Sequence, residues 1–168
     1  MKHLYLLRHG KSSWDDPALA DHERPLAPRG RKAARKVAAY MRRSRIHPAL
    51  VLCSPSRRTR ETLELLGKAV EGEVRLEPAL YAADEDELLR VLRGLREPSP
   101  SVLVIGHNPG LQGLAVELAG RGDAAQLARL SEKMPTAALA SISLPIESWN
   151  ELAPGAGELV AYVMPREL

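Results

Sequence analysis

The chain has 168 residues, 45% of them hydrophobic and 27% charged, with a formal net charge of +3. That balance fits a globular domain with a buried core and excludes a disulfide mini-protein, a coiled coil, a collagenous chain and a disordered tail. Arg outnumbers Lys 18 to 6; Arg is the better bidentate reader of phosphate or carboxylate, although genome composition raises Arg content as readily.

With no Phe, the core is expected to rest on Leu, Val, Ala and Ile. The one cysteine, Cys53, excludes an intrachain disulfide and a thiolate metal cluster. The first apolar run, Leu4 to Leu7, is interrupted by Arg8. No later stretch reaches about 18 apolar residues without a charge. A soluble, cytoplasmic protein with no membrane partner is the expectation.

In chain order, His3 to Leu7 reads as a strand that breaks at Arg8-His9-Gly10. Lys11 to Pro28 holds three prolines and reads as a long loop, of the kind that often carries function. Gly30 to Arg43 is a helix: Ala34, Val37, Ala38 and Met41 form its apolar stripe, and Arg31, Lys32, Arg35, Lys36, Arg42 and Arg43 a basic face. Ala49 to Cys53 is a buried strand. Ser54-Pro55 is expected to open the next helix, with Ser54 as N-cap and Pro55 at the first position. That helix runs from about Ser56 to Val70, with Gly72 past its end. Val74 to Leu76 is a short strand, and Asp84 to Leu95 a helix. Val102 to Ile105 is a strong strand broken by Gly106-His107-Asn108-Pro109-Gly110. Leu111 to Ala119 is helical, and Ala125 to Leu130 a short helix. Ala138 to Leu144 and Leu159 to Val163 are final strands, separated by an excursion through Trp149.

The alternation of strand and helix predicts a three-layer α/β/α sandwich with a mostly parallel central sheet. No repeat or linker divides it, so residues 1–168 are read as one domain. In such sheets ligands bind beyond the carboxyl ends of the strands. Three predicted strands end there with chemistry, at Arg8-His9-Gly10, at Ser54 through Arg58, and at Gly106-His107-Asn108. Two His without a His-x-x-x-His pair or a suitable carboxylate make a poor metal site, so no metal is expected. Two Arg with two His make a cationic pocket suited to a phosphoryl dianion. His9 is the candidate nucleophile, kept neutral by the neighbouring Arg charges. Arg8 and Arg58 are candidates for holding phosphate oxygens, with His107 a further donor opposite His9.

Leu7-Arg8-His9-Gly10, then Ser54-Pro55-Ser56-Arg57-Arg58-Thr59-Arg60-Glu61-Thr62, then Gly106-His107-Asn108-Pro109-Gly110 resemble, in order, the motifs of the histidine phosphatase superfamily. That is the branch sharing its fold with cofactor-dependent phosphoglycerate mutases. Arg24-Pro25-Leu26 before Gly30, Leu80-Tyr81-Ala82-Ala83 and the short chain look most like SixA-type phosphohistidine phosphatases. The resemblance implies that His9 takes a phosphoryl group and yields it to water, within a pocket completed by Arg8, Arg58 and His107. In the pattern Ser-Pro-x-x-Arg-x-x-x-Thr the arginine aligns with Arg58, and Arg57 is the second choice. Gly10, Ser12 and Asn108 are candidate pocket residues, and Arg24 is a candidate in the long loop whose reach to substrate the sequence leaves open. No cofactor is implied. The expected partner is a phosphorylated protein, such as a histidine-containing phosphotransfer domain, in signal transduction.

One departure concerns the carboxylate general acid that many superfamily members carry. Asp84, Glu85 and Asp86 follow Tyr81-Ala82-Ala83, but acids at a helix N-terminus are explained by the helix itself. An alkoxide leaving group needs an acid more than an imidazole does, so its lack favours P–N over P–O cleavage. Two other readings stand beside this one: the same chemistry on a small phosphate ester, and a non-catalytic module binding a phosphoprotein or nucleic acid through its basic helix. Nucleic acid is the less expected partner, because a binding module has no need of both histidines. Cys53 is read as a small buried apolar side chain rather than a cysteine-phosphatase nucleophile, since the residue six positions on is Thr59. His3, His22 and His47 are assigned structural or solvent roles.

Overall fold

The structure, a computed structural model, describes residues 1–96 and 98–168. Its strands are β1 (Lys2–Arg8), β2 (Leu50–Cys53), β3 (Glu73–Leu76), β4 (Ser101–Gly106), β5 (Ala119–Gly122), β6 (Leu139–Leu144) and β7 (Gly157–Val163). They form one seven-stranded sheet in the order β3-β2-β4-β1-β6-β7-β5. β1, β4, β2 and β3 pair in parallel, as do β7 and β5, while β6 runs antiparallel between β1 and β7. The expected mostly parallel sheet is therefore the sheet observed.

Helices α1 (Pro28–Arg43) and α2 (Arg57–Leu66) cover one face of the sheet, and α3 (Glu85–Arg93), α4 (Gly110–Leu118) and α5 (Ala124–Glu132) the other. Successive side chains of the parallel strands feed the two layers alternately. Val51 and Cys53, Leu103 and Ile105 pack with Val37, Ala38, Met41 and Leu66. Leu50 and Leu52, Val102 and Val104 pack with Leu89, Leu92, Leu111 and Leu114. Both clusters are closed to solvent, and a fully buried Leu, Val or Met contributes about 1.5–3 kcal/mol by leaving water. α1 buries the stripe read from its sequence, Ala34, Val37, Ala38 and Met41, and turns Lys32, Arg35, Arg42 and Arg43 outward.

Three boundaries differ from expectation. Ser54 does not cap α2. Its N–H still donates to Ile105 O at 3.1 Å, extending β2 by one residue, and Pro55 disfavours helical backbone before it. The cap is Ser56, whose Oγ accepts from Thr59 N. α2 ends at Leu66, because Gly67 adopts a φ of 52° that stops the helix ahead of Gly72. The helical pattern predicts a helix ending at residue 119, yet Ala119–Gly122 forms edge strand β5. Two glycines in four residues conceal that strand from propensity, but they let it lie close to the Gly155 backbone, whose carbonyl would be 2.1 Å from any Cβ at Gly120.

Candidate active site

Parallel register brings three strand exits to one level. Leu7 pairs with Ile105 and Cys53 with Ile105 on its other side, while Arg8 pairs with Gly106. Past the ladder the backbone still binds across: His9 N–H donates to Gly106 O at 3.2 Å. The turn at Gly10 is pinned from two directions. Its N–H donates to Thr62 Oγ1 of α2 at 3.1 Å, and a Cβ at Gly10 would stand 2.8 Å from Gly30 O at the start of α1. Only glycine fits where this loop crosses the helix.

His9 and His107 face each other with ring centroids 5.3 Å apart, both nearly closed to solvent. His9 Nδ1–H donates to Gly10 O at 2.7 Å, which fixes the tautomer and leaves the Nε2 lone pair unprotonated. Burial, followed by the facing His107 and then Arg58 and Arg8, lowers the His9 pKa to about 3. The Gly10 carbonyl pulls the other way and loses. His107 is likewise lowered to about 4, mainly by burial and then by Arg58. Its Nε2–H donates to Ser54 Oγ at 2.8 Å, and its Nδ1 receives a long contact of 3.5 Å from Arg58 Nη2. Both rings are neutral at physiological pH.

Arg58 is buried, and its guanidinium is gripped by a residue that sequence reading passed over. Nη1 donates to Asp21 O at 2.7 Å and Nη2 to Asp21 Oδ2 at 3.0 Å. Asp21 also accepts from Tyr81 Oη at 2.5 Å and from Arg24 Nη1 at 2.9 Å. Tyr81, followed by the two arginines, lowers the Asp21 pKa to about 2, against a partial desolvation. The Tyr81 ring stands edge-on to His107 at 5.5 Å and to His22 at 4.8 Å. His22 therefore lies at the rim of the cluster rather than in solvent alone. The long loop is what delivers Asp21. A bridge between Ser12 and Leu26 closes its base, and a single turn at Asp21–Glu23 lifts the carboxylate to Arg58. A polar loop with three prolines signals function in general terms; which of its acids turns inward is set by that bridge and by the distant Tyr81.

Arg8 enters from the opposite side. Its Nη1 donates to Met134 O at 3.1 Å, where Asn108 Nδ2 also donates at 2.8 Å. Its Nε is buried with no hydrogen-bond partner among the described residues. Asn108 spends its other end on Gln112 N, so it ties the start of α4 to the loop before β6. Arg24 and Ser12 bind each other one layer behind the cluster, and Arg24 reaches it through Asp21. Arg57 is apart: half-exposed, it pairs with Glu61 at 3.4 Å and reaches none of the clustered residues among the described contacts.

The acids after Tyr81 are also accounted for. Asp84 accepts from Glu87 N at 2.8 Å as the cap of α3, and the Glu85 carboxylate lies against Gly113 of α4. Cys53 is fully buried and its thiol is pushed up to about 12 by burial. Among the described residues no group of three His, Cys, Asp or Glu is placed to hold a metal ion. Among the described residues no helix is long and apolar enough to cross a membrane.

The sequence model of the histidine phosphatase superfamily (branch 1) matches residues 4–87. An uncharacterized protein of Mycobacterium tuberculosis is 35% identical over 162 residues, covering 95% of this chain and 100% of that protein. The phosphohistidine phosphatase SixA of Escherichia coli is 31% identical over 119 residues, covering 68% of this chain and 73% of SixA. The solved structure of a candidate SixA phosphohistidine phosphatase from Nakamurella multipartitia superposes with a TM-score of 0.84 at 28% identity, covering 98% of this chain and 96% of that one. The chain belongs to the histidine phosphatase superfamily. Within that superfamily it is a SixA-like phosphatase with the phosphoglycerate mutase-like fold.

Proposed function

We propose that the protein hydrolyses phosphohistidine on another protein, such as a histidine-containing phosphotransfer domain, through a covalent phosphoryl intermediate on His9. The observation that carries this reading is the state of Asp21. Among the described residues it is the carboxylate hydrogen-bonded to Arg58 of the cluster, and Tyr81, Arg58 and Arg24 hold it ionised. It has no proton to give at neutral pH. An alkoxide leaving from a phosphate ester needs general-acid help worth about 10²–10⁴-fold. An imidazole leaves as a base that protonates near neutrality and needs little.

His9 Nε2, with its lone pair free and its Nδ1–H anchored on Gly10 O, attacks phosphorus as the P–N bond of the substrate breaks. The leaving imidazole keeps the bonding pair and takes its proton from solvent. Water then attacks the phosphoryl group on His9, releasing phosphate and restoring the neutral ring. The Arg8 and Arg58 forks face charge that spreads over the phosphoryl oxygens during both steps. Arg8 Nε is suited to that duty, because a buried unpaired donor costs about 1–3 kcal/mol until an oxygen meets it. The name of the Escherichia coli relative supports the substrate class.

Phosphate release from a phosphorylated phosphotransfer domain, measured beside release from sugar phosphates and nucleotides, tests the reading. The phosphoprotein is expected to turn over faster, in the presence of EDTA, with inhibition by vanadate. His9→Ala is expected to be inert, and denaturing the wild type at alkaline pH to trap a phosphoprotein that is stable in alkali and lost in acid. Faster turnover of the small esters assigns the same site to a small molecule. Equal activity of wild type and His9→Ala removes the catalytic assignment altogether.

A further inference from the structure

A second concave site lies against the Arg8 side of the cluster. It has a volume of about 390 Å³ and is lined by Lys11, Arg29, Arg129, Lys133 and Arg166 among its charged residues, with Glu132 opposing them. Its walls come from the loop after His9, the first turn of α1, the end of α5 and the chain beyond β7. The site shares its backbone with the phosphoryl pocket. Lys11 follows His9 by two residues, and Ala137 N–H, one residue past the wall at Thr136, donates to His9 O at 2.9 Å and Arg8 O at 3.0 Å. Lys133 and Pro135 flank Met134, whose carbonyl receives Arg8 and Asn108. The far wall is held rigid: Tyr162 Oη donates to Lys133 O at 2.6 Å, and Arg129 lies 5.7 Å over the Tyr162 ring.

Arg129 is satisfied by Glu167 at 2.6 Å. Among the described residues no carboxylate pairs with Lys11, Arg29, Lys133 or Arg166. Four unpaired cations around one concavity repel each other, and they stand beside a cluster of Arg and His suited to an anion. A ligand carrying negative charge at two points meets both sites at once, which raises its encounter rate and fixes its orientation.

We propose that this cleft is a recognition site for acidic side chains that flank the phosphorylated residue of the protein substrate. The proposal rests on the phosphoprotein reading given above. It makes substrate choice a matter of two anchor points, the phosphoryl group on Arg8 and Arg58 and a carboxylate-bearing segment on Lys133 and Arg166.

The test is the double variant Lys133→Glu/Arg166→Glu, both positions exposed and outside the catalytic cluster. Steady-state kinetics are measured on a phosphorylated phosphotransfer domain and on p-nitrophenyl phosphate, each at low and high salt. The expected result is a loss of about tenfold in kcat/KM on the phosphoprotein at low salt, carried by KM and erased at high salt. Activity on p-nitrophenyl phosphate is expected to stay within about twofold. Equal losses on both substrates, or no loss on either, overturn the proposal. A labelled glutamate-rich peptide with no phosphoryl group is titrated in parallel by fluorescence anisotropy. Binding to the wild type that the double variant abolishes supports the cleft even if no phosphohistidine is hydrolysed. No binding to the wild type, or equal binding to both, overturns it, so the cleft and the substrate reading fail separately.

Discussion

Asp21 holds both donor arms of Arg58, one through its carbonyl and one through its carboxylate. A phosphoryl oxygen approaching Arg58 therefore meets a guanidinium already aimed, rather than one that must be ordered during binding. Asp21→Ala removes the grip of the carboxylate together with the acceptor for Tyr81 and Arg24. It is expected to lower kcat/KM by about tenfold, with thermal stability changing little because the Asp21 side chain is half-exposed. Asp84 gives the contrasting case. As the cap of α3 it is bound into a reciprocal pair with Glu87. Asp84→Ala should cost about 1 kcal/mol of stability, read by urea unfolding, and leave activity intact. A large loss of activity in that variant would restore Asp84 as a proton donor.

At the scale of elements, the site depends on a crossing between the β1 exit and α1. Gly10 and Gly30 meet backbone to backbone: a Cβ at Gly30 would lie 2.2 Å from Lys11 O. Gly30→Ala is expected to destabilise by about 1–3 kcal/mol through overpacking and to shift the His9 turn, so that melting temperature and kcat fall together. Thr62 secures the same crossing from α2, taking the Gly10 N–H while donating to Arg58 O at 2.7 Å. The Arg-His-Gly, Ser-Pro-x-x-Arg-x-x-x-Thr and Gly-His-Asn segments were legible in the sequence because each is local to one strand exit. Arg58 over Arg57 came from the family resemblance, and the two side chains differ physically, a buried fork against a half-exposed pair with Glu61. Asp21 was not legible. Its role is made by Tyr81 and Arg58, both far along the chain, and nothing in Asp-His-Glu marks one acid of a polar loop as the inward one.

For the whole molecule, alternating strand and helix patterns sufficed for the layers and a mostly parallel sheet, since a parallel sheet buried on both faces demands the continuous apolar runs of β2 and β4, while nothing in its pattern marked β6 as antiparallel. Edge strand β5 escaped because two glycines and an arginine carry no apolar signal. The buried rings make the fold sensitive to acid. The pKa values of His9 and His107 lie near 3 and 4 in the folded state against 6.5 when unfolded, so the unfolded chain binds more protons between those limits. Stability is therefore full above about pH 6.5 and declines as pH falls toward the folded values. Asp21 adds to that loss only at still lower pH, below 3.8. Urea midpoints are expected to fall from about pH 7 to about pH 4.5, and the slope to flatten in His107→Gln. A flat wild-type profile would mean that the two rings are not sealed from water.

The long loop also carries its own optical label. Of the two tryptophans, Trp149 is sealed in the core while Trp14 stands 71% exposed, with the Arg24 guanidinium stacked 3.3 Å above its ring. Arg24 is joined through Asp21 to Arg58. An oxyanion that shares the Arg58 charge with Asp21 alters the electrostatics of a line of contacts ending at an indole, so titration with inorganic phosphate is expected to change the emission of Trp14 without any added dye.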